Sequence, residues 1–286
     1  MWYAELMDTK PSEIMKFWWE EWDNALWWLF GWKIYVVWAN SWIWKTTFVN
    51  QISNNVANQW FRVVKYSLED RMEDMAKEEI FFALNKIRYK EWKSRYIRVK
   101  YLCWEYNEDK EFVNYLNKAC EILVEKDNLI ELEKSMKVWI NDLAYLITQE
   151  SKKWSRLFII DHLHYFDMEG KERHDLQIQK TMHIINEIAR KYNIAIILVA
   201  HYKKGSDNDE PSYEEFKDGS SIYQVANIII QITRDFDDDI STFHITKLRW
   251  PIKPFKLETK FDIWTFEYDF KKTIKQKDAD SLNWWF

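Results

Sequence analysis

Glycine is nearly missing from this chain. It has 4 in 286 residues, where ordinary usage of about 7% predicts roughly 20. Cysteine is scarce too. Cys103 and Cys120 stand apart with no metal-type spacing, which argues against a disulfide scaffold and a zinc cluster and predicts reduced core thiols in a cytosolic protein. There is no N-terminal apolar h-region and no run of about 18 apolar residues, so neither export nor membrane spanning is expected. No sign of charge dominates. A net charge of −5 gives no global pull toward nucleic acid, so any such site must be local.

Tryptophan, by contrast, is abundant. There are 19, and with the 4 glycines they come to 23, close to the glycine expected alone. Their positions point the same way. Trp27-Trp28 and Trp32 flank a turn before the first strand, Trp60 lies between a helix and a strand, Trp154 precedes a strand, and Trp250 precedes Pro251. Glycine is favoured at such places, for positive φ and close backbone approach. The reading is that most of these tryptophans stand for glycine, as when a gene in which UGA means glycine is translated under a table in which it means tryptophan. Trp22 and Trp264 are the candidates for genuine tryptophan, the latter in the alternating FDIWTFEYDF.

The length suits one large α/β domain, expected over residues 14–272, with a leader at 1–13 and a polar tail at 273–286. Periodicity predicts a short helix around Glu20 to Leu26, a strand from Ile34 to Val37 and a helix from Thr46 to Gln59. Next come a buried strand from Phe61 to Ser67, helices from Met72 to Arg88 and Glu111 to Glu125, and a weak strand at Asn128 to Leu132. A helix from Ile140 to Lys152 leads to the strand Arg156 to Asp161, and a helix from Asp175 to Tyr192 to the apolar run Ile194 to Ala200, typical of a central parallel strand. A short helix then enters a strand within Ile222 to Ile232, and strands follow in FHITKLR and FKLETKFDIWTFEYD. Repeated strand–helix units predict a mostly parallel sheet covered on both faces.

The chemistry centres on KIYVVWANSWIWKTTFVN, Lys33 to Asn50. A strand, a loop and Lys-Thr opening a helix is the layout of a phosphate-binding P-loop. Ala39 holds the first glycine position and Trp44 sits where the second belongs. With Trp42 and Trp44 read as glycine, the loop Ala39, Asn40, Ser41, Trp42, Ile43, Trp44, Lys45, Thr46, Thr47 can turn backbone N–H groups toward a β-phosphate at a helix N-terminus. Lys45 would neutralise β and γ phosphates of ATP, and the Thr46 hydroxyl would ligate Mg²⁺ with Asp161, which ends the strand LFIID. Glu69, at the end of the next strand, could orient the attacking water, and His201 could sense the γ-phosphate. Arg249, with Lys247 beside it, could act in a neighbouring subunit. Each has a plainer reading: Asp161 as a strand cap, Glu69 as a helix-initiating acid, His201 as structural, Lys247 and Arg249 as a solvated strand-end pair.

The ordered segments ANSWIWKTTF, YSLED, FIIDHLHYF, LVAHYKK, FKDGSSIYQVANIIIQITRD and ITKLRWP together resemble the C-terminal motor domain of DnaB-like hexameric replicative helicases, over about residues 14–270. The resemblance implies a RecA-like fold with a C-terminal antiparallel strand region, ATP and Mg²⁺ as cofactors, a homo-hexameric ring, single-stranded DNA as track, and a primase or loader as partner. It makes Glu69 the catalytic base, gives His201 the sensor position, makes Lys247 and Arg249 the trans-acting basic pair, and has Gly219 to Ile222 with Gln224 support a DNA-binding loop. DNA contacts are expected from Lys203, Lys204, Lys217, Ser220 and Gln224. Asp161-His162-Leu163-His164 matches the family's Asp-Tyr-Leu-Gln imperfectly, and the primase-docking collar is expected to be absent. Acids among the lysines of the loops Met168 to Asp175 and Lys203 to Lys217 make a poor patch for phosphate unless a ring multiplies it. Two other readings stay open: a RecA-type ATPase without unwinding activity, and, if the tryptophans are real, a non-hydrolysing binding module whose cradle is filled by indole.

Overall fold

The computed structural model describes residues 15–17, 19–26, 29–39, 45–67, 71–125, 130–134, 140–161, 174–201, 219–235, 237–248, 254–262, 267–270 and 276–277. In chain order the elements are α1 (Glu20–Leu26), β1 (Ile34–Ala39), α2 (Lys45–Ala57), β2 (Arg62–Ser67), α3 (Met72–Lys90), α4 (Arg98–Leu102), α5 (Lys110–Glu125) and β3 (Ile130–Lys134). They continue with α6 (Ile140–Lys152), β4 (Ser155–Asp161), α7 (His174–Tyr192), β5 (Ala195–His201), α8 (Gly219–Val225), β6 (Ile228–Asp235), β7 (Ile240–Leu248), β8 (Phe255–Asp262), β9 (Glu267–Asp269) and β10 (Gln276–Lys277).

One sheet runs through the molecule in the order β10-β8-β7-β6-β1-β5-β4-β2-β3, with β9 paired to β8. From β6 to β3 every pairing is parallel. From β6 outward through β7, β8, β9 and β10 every pairing is antiparallel. The fold class is therefore the one expected from the alternation of strands and helices.

The two-residue period of the strands sorts the core into two layers. Tyr35, Val37 and Ala39 of β1 face α1 and α2, packing with Trp22, Phe48, Ile52 and Val56. Ile34, Val36 and Trp38 face the other way, packing with Leu143 and Ile147 of α6, Ile178 and Met182 of α7, and Ile222 of α8. A β1 strand buried on both faces explains its unbroken apolar run. A third, separate cluster joins Phe81 and Leu84 of α3 to Tyr96, Tyr101 of α4, and Phe112 and Tyr115 of α5. Helices α3 to α5 thus form an annex with its own small core between β2 and β3.

The two cysteines do not sit where their spacing suggested. Cys103 is exposed and Cys120 half-buried, both as free thiols. Cys103 is the C-cap of α4, where the chain turns outward, so neither sits in the core as the sequence suggested. Among the described residues, no helix is long and apolar enough to cross a membrane.

Candidate nucleotide site

Four parallel strands end in a row. Ala39 closes β1, His201 β5, Asp161 β4 and Ser67 β2. Register sets Ala39 opposite His201 and Asp161 opposite Ser67. The connection from β1 leads toward the β2 side of the sheet, while the one from β5 returns across β1 to β6. The carboxyl ends of strands beside such a reversal are where open α/β sheets hold ligands.

Lys45 and Thr46 open α2 at this edge. Lys45 is only 4% exposed, and its Nζ donates to the Ala39 carbonyl at 3.1 Å. The amine thereby ties the start of α2 to the end of β1 across the intervening loop. Thr46 Oγ1 donates to Asp161 Oδ2 at 3.4 Å, longer than a tight O–H···O bond. Asp161 itself is buried. A hydroxyl and a carboxylate facing each other are hard oxygen donors of the kind that suits Mg²⁺. Among the described residues no cluster of three or more His, Cys, Asp or Glu could cage a metal. Mg²⁺ is commonly held by one or two such protein oxygens, with water and phosphate completing its shell.

A cavity of about 270 Å³ adjoins this pair, bounded by Thr46, Ser67 and Asp161 on the sheet side and by Asp74, Glu78 and Arg98 from the annex. Arg98 Nε donates to both Glu78 oxygens, at 2.9 and 3.1 Å, so this wall is held by a forked ion pair. Neither residue was foreseen. Glu78 projects from α3 and Arg98 opens α4, which folds back on α3 through Tyr101 against Phe81, and no local pattern in the sequence marks them. A larger cavity, of about 850 Å³, lies away from this edge, between α2, α3 and the β8–β9 hairpin, and is lined by none of the expected phosphate-site residues.

Behind the edge is a buried charge pair. Lys65 on β2 and Glu79 on α3 form an ion pair with each side chain 5% exposed, and Asn54 Nδ2 of α2 donates to Glu79 Oε2 at 2.8 Å. Pairing and the extra amide offset the cost of taking both charges out of water. The contact locks three elements that frame the site.

Thr47 is buried on the first turn of α2. Lys247 lies on β7 opposite Ile229, which is itself level with Val36 of β1. That is three residues, about 10 Å, short of the carboxyl edge and two strands to the side. Its amine donates to the Tyr223 carbonyl and sits over the Tyr223 ring. Ser220 and Gln224 fall within α8, with Gln224 exposed. The expectations for Asn40, Ser41, Trp42, Ile43, Trp44, Glu69, Lys203, Lys204, Lys217 and Arg249 lie outside the described residues, as does the side chain of His201.

Comparison with known proteins gives a consistent result. The family described as "DnaB-like helicase C terminal domain" matches residues 20–254. Among solved structures, one described as an ATPase domain superposes with a TM-score of 0.78 at 16% identity, over 93% of this chain and 94% of that one. "The Structure Of A DnaB-Like Replicative Helicase And Its Interactions With Primase" gives 0.78 at 17% identity, over 93% of this chain and 64% of that one. No curated protein matches.

Proposed function

Because the chain belongs to the family of DnaB-like helicase C-terminal domains, a family of helicase motors, we propose that it is an ATP-hydrolysing motor that forms a hexameric ring and moves along single-stranded DNA. The observation that supports this most directly is the Thr46–Asp161 contact at 3.4 Å beside a Lys45 anchored to the end of β1. Lys45 would carry positive charge to the β and γ phosphates, and Thr46 and Asp161 would hold Mg²⁺. Bound Mg²⁺ would supply neutralisation of the charge that builds on the phosphate oxygens. Glu69 would orient the attacking water, and His201, next to Ala39 in the register, would report on the γ-phosphate.

Lys247 cannot serve its own chain's edge from its place on β7, which favours a role with Arg249 in a neighbour's site. Lys203, Lys204 and Lys217, with Ser220 and Gln224 supporting, would follow the DNA backbone. Six copies would compensate for the few cations each chain contributes. One structural neighbour is described with primase, and a primase or loader is the partner proposed for this ring, working in the cytoplasm.

The test is ATP hydrolysis with and without single-stranded DNA, run alongside strand displacement on a forked duplex. DNA-stimulated hydrolysis with displacement is expected. Hydrolysis without displacement would leave an ATPase of the same fold with a different task. Failure to bind ATP by a chain carrying glycine at 42 and 44 would overturn the motor reading.

A further inference from the structure

We infer that Trp32, Trp60, Trp92, Trp104 and Trp154 are glycine in the protein its own cell makes, while Trp22 is a genuine tryptophan. The assignment rests on backbone conformation and packing, position by position, and not on the nucleotide reading above.

Seven non-glycine residues have positive φ among those described, and five are tryptophan: Trp32 at 57°, Trp60 at 70°, Trp92 at 58°, Trp104 at 58° and Trp154 at 67°. The other two are Asn193 and Asp239, the residue types that tolerate this region because a short polar side chain can bond locally. Tryptophan has no such device, and a Cβ there crowds the following carbonyl.

Four of the five occupy one structural position. Trp92 follows the C-cap of α3; its N–H bonds the Tyr89 carbonyl while Lys93 N–H bonds that of Arg88. Trp104 follows the C-cap of α4 in the same way, with Trp104 N–H on Tyr101 and Glu105 N–H on Lys100. These paired bonds are the Schellman ending, whose C′ residue is left-handed and usually glycine. Trp60 after α2 and Trp154 after α6 make the corresponding bond to Ala57 and Ser151. Asn193 closes α7 likewise, with Ile194 N–H on Ala189, and there the sequence has the expected substitute for glycine. Trp32 stands in the tight turn beside Gly31, where a Cβ on residue 31 would meet the Asn193 carbonyl oxygen at 2.5 Å.

The side chains supply little competing reason for an indole: Lys33 lies over the Trp32 ring and Arg156 over the Trp154 ring, surface contacts worth about 0.5–1 kcal/mol, less than the conformational cost. The five range from 40% exposed at Trp32 to 97% at Trp92. Trp22 is the opposite case. It is fully buried and in ring contact with Phe17, Phe48, Phe243 and Phe270, on a helix that needs no positive φ. A codon has one meaning throughout a gene, so Trp42 and Trp44 of the phosphate loop are glycine as well if they share the codon of the five.

The coding DNA and the peptide masses of the protein purified from its own source test this together. Expected are UGA at codons 32, 60, 92, 104 and 154 with glycine in the matching peptides, and UGG at codon 22 with tryptophan. UGG at any of the five, or an indole mass there, overturns the assignment. UGA or glycine at 22 overturns its second half. Residue mass is read whether or not the chain hydrolyses ATP, so failure here and failure of the motor reading are separate results.

Discussion

Replacing Trp92 by glycine should stabilise the fold, and replacing it by alanine should not. The backbone at 92 is held at φ 58° by the two hydrogen bonds that end α3. Holding a residue with a Cβ in that region costs about 1–2 kcal/mol. Glycine removes that cost but gives back about 0.5–1 kcal/mol through the greater freedom of the unfolded chain. The indole is 97% exposed, so almost no buried area is lost. The net gain is roughly 0.5–1 kcal/mol. Trp60, Trp104 and Trp154 end different helices, so the four changes should add; with the contact of Arg156 on the Trp154 ring lost, the sum is roughly 1.5–3 kcal/mol, a midpoint rise of roughly 5 °C or more for a chain of this size.

Thermal and urea unfolding of the single, quadruple and alanine variants read this directly. Alanine keeps the Cβ and should leave the midpoint within about 1 °C of the tryptophan form, by the same argument. Trp22→Gly is the opposing control and should lose at least about 3–5 kcal/mol, as large core aromatics do when truncated. If alanine at 92 stabilises as much as glycine, exposure of the ring rather than backbone conformation was the source, and the reasoning fails.

Glu79→Gln should cost roughly 3–5 kcal/mol by stranding the buried Lys65 charge, and Lys65→Met with Glu79→Leu together should recover much of it; both are read from urea midpoints. His244 is buried, hydrogen-bonded to Thr233 at 2.8 Å, and burial lowers its pKa from 6.5 to about 4. The unfolded chain therefore takes up this proton first as pH falls, so stability present above pH 6.5 should drain away between 6.5 and about 4, by up to about 3 kcal/mol; unfolding midpoints of His244→Asn should show a flatter profile over that window. Asp161→Asn and Thr46→Ala, in the glycine-containing chain, should each lower Mg²⁺-dependent ATP turnover by about 100-fold or more while nucleotide binding persists, as measured by steady-state hydrolysis beside a binding titration.

The sequence made some features plain and hid others, for physical reasons. Helix α6 has the bounds that periodicity predicts, because its apolar stripe is complete and flanked by polar residues. Asp161 could be placed at the end of a buried strand because LFIID runs apolar up to a single charge. The strand order was not readable in this way. Nothing local in FRVVKYS says that β4, far along the chain, lies between β2 and β5. The weak strand expected at Asn128 to Leu132 is described over Ile130–Lys134, its first two expected positions lying outside the described residues. Trp32, Trp60 and Trp154 could be suspected because each sits beside a recognisable strand. Trp92 and Trp104 escaped notice, since the mixed, charged run around them offers no period to mark where α3 and α4 stop. Arg98 and Glu78 carry no signal at all; only the folding back of α4 on α3 sets Arg98 beside Glu78 at the cavity next to Thr46 and Asp161.

The annex of α3, α4 and α5 keeps a separate apolar cluster and meets the sheet through charged and polar contacts, the buried set of Lys65, Glu79 and Asn54 on one side and the more exposed pair of Arg95 with Glu267 on the other. Greasy surfaces can slide over one another at little cost, whereas opposite charges sealed from water have a single favourable mating. The annex is thus keyed rather than glued to the body. A shift at the front of α2 would carry it along as one piece, giving the molecule a handle by which events at the carboxyl edge of the sheet would be felt on its outer flank.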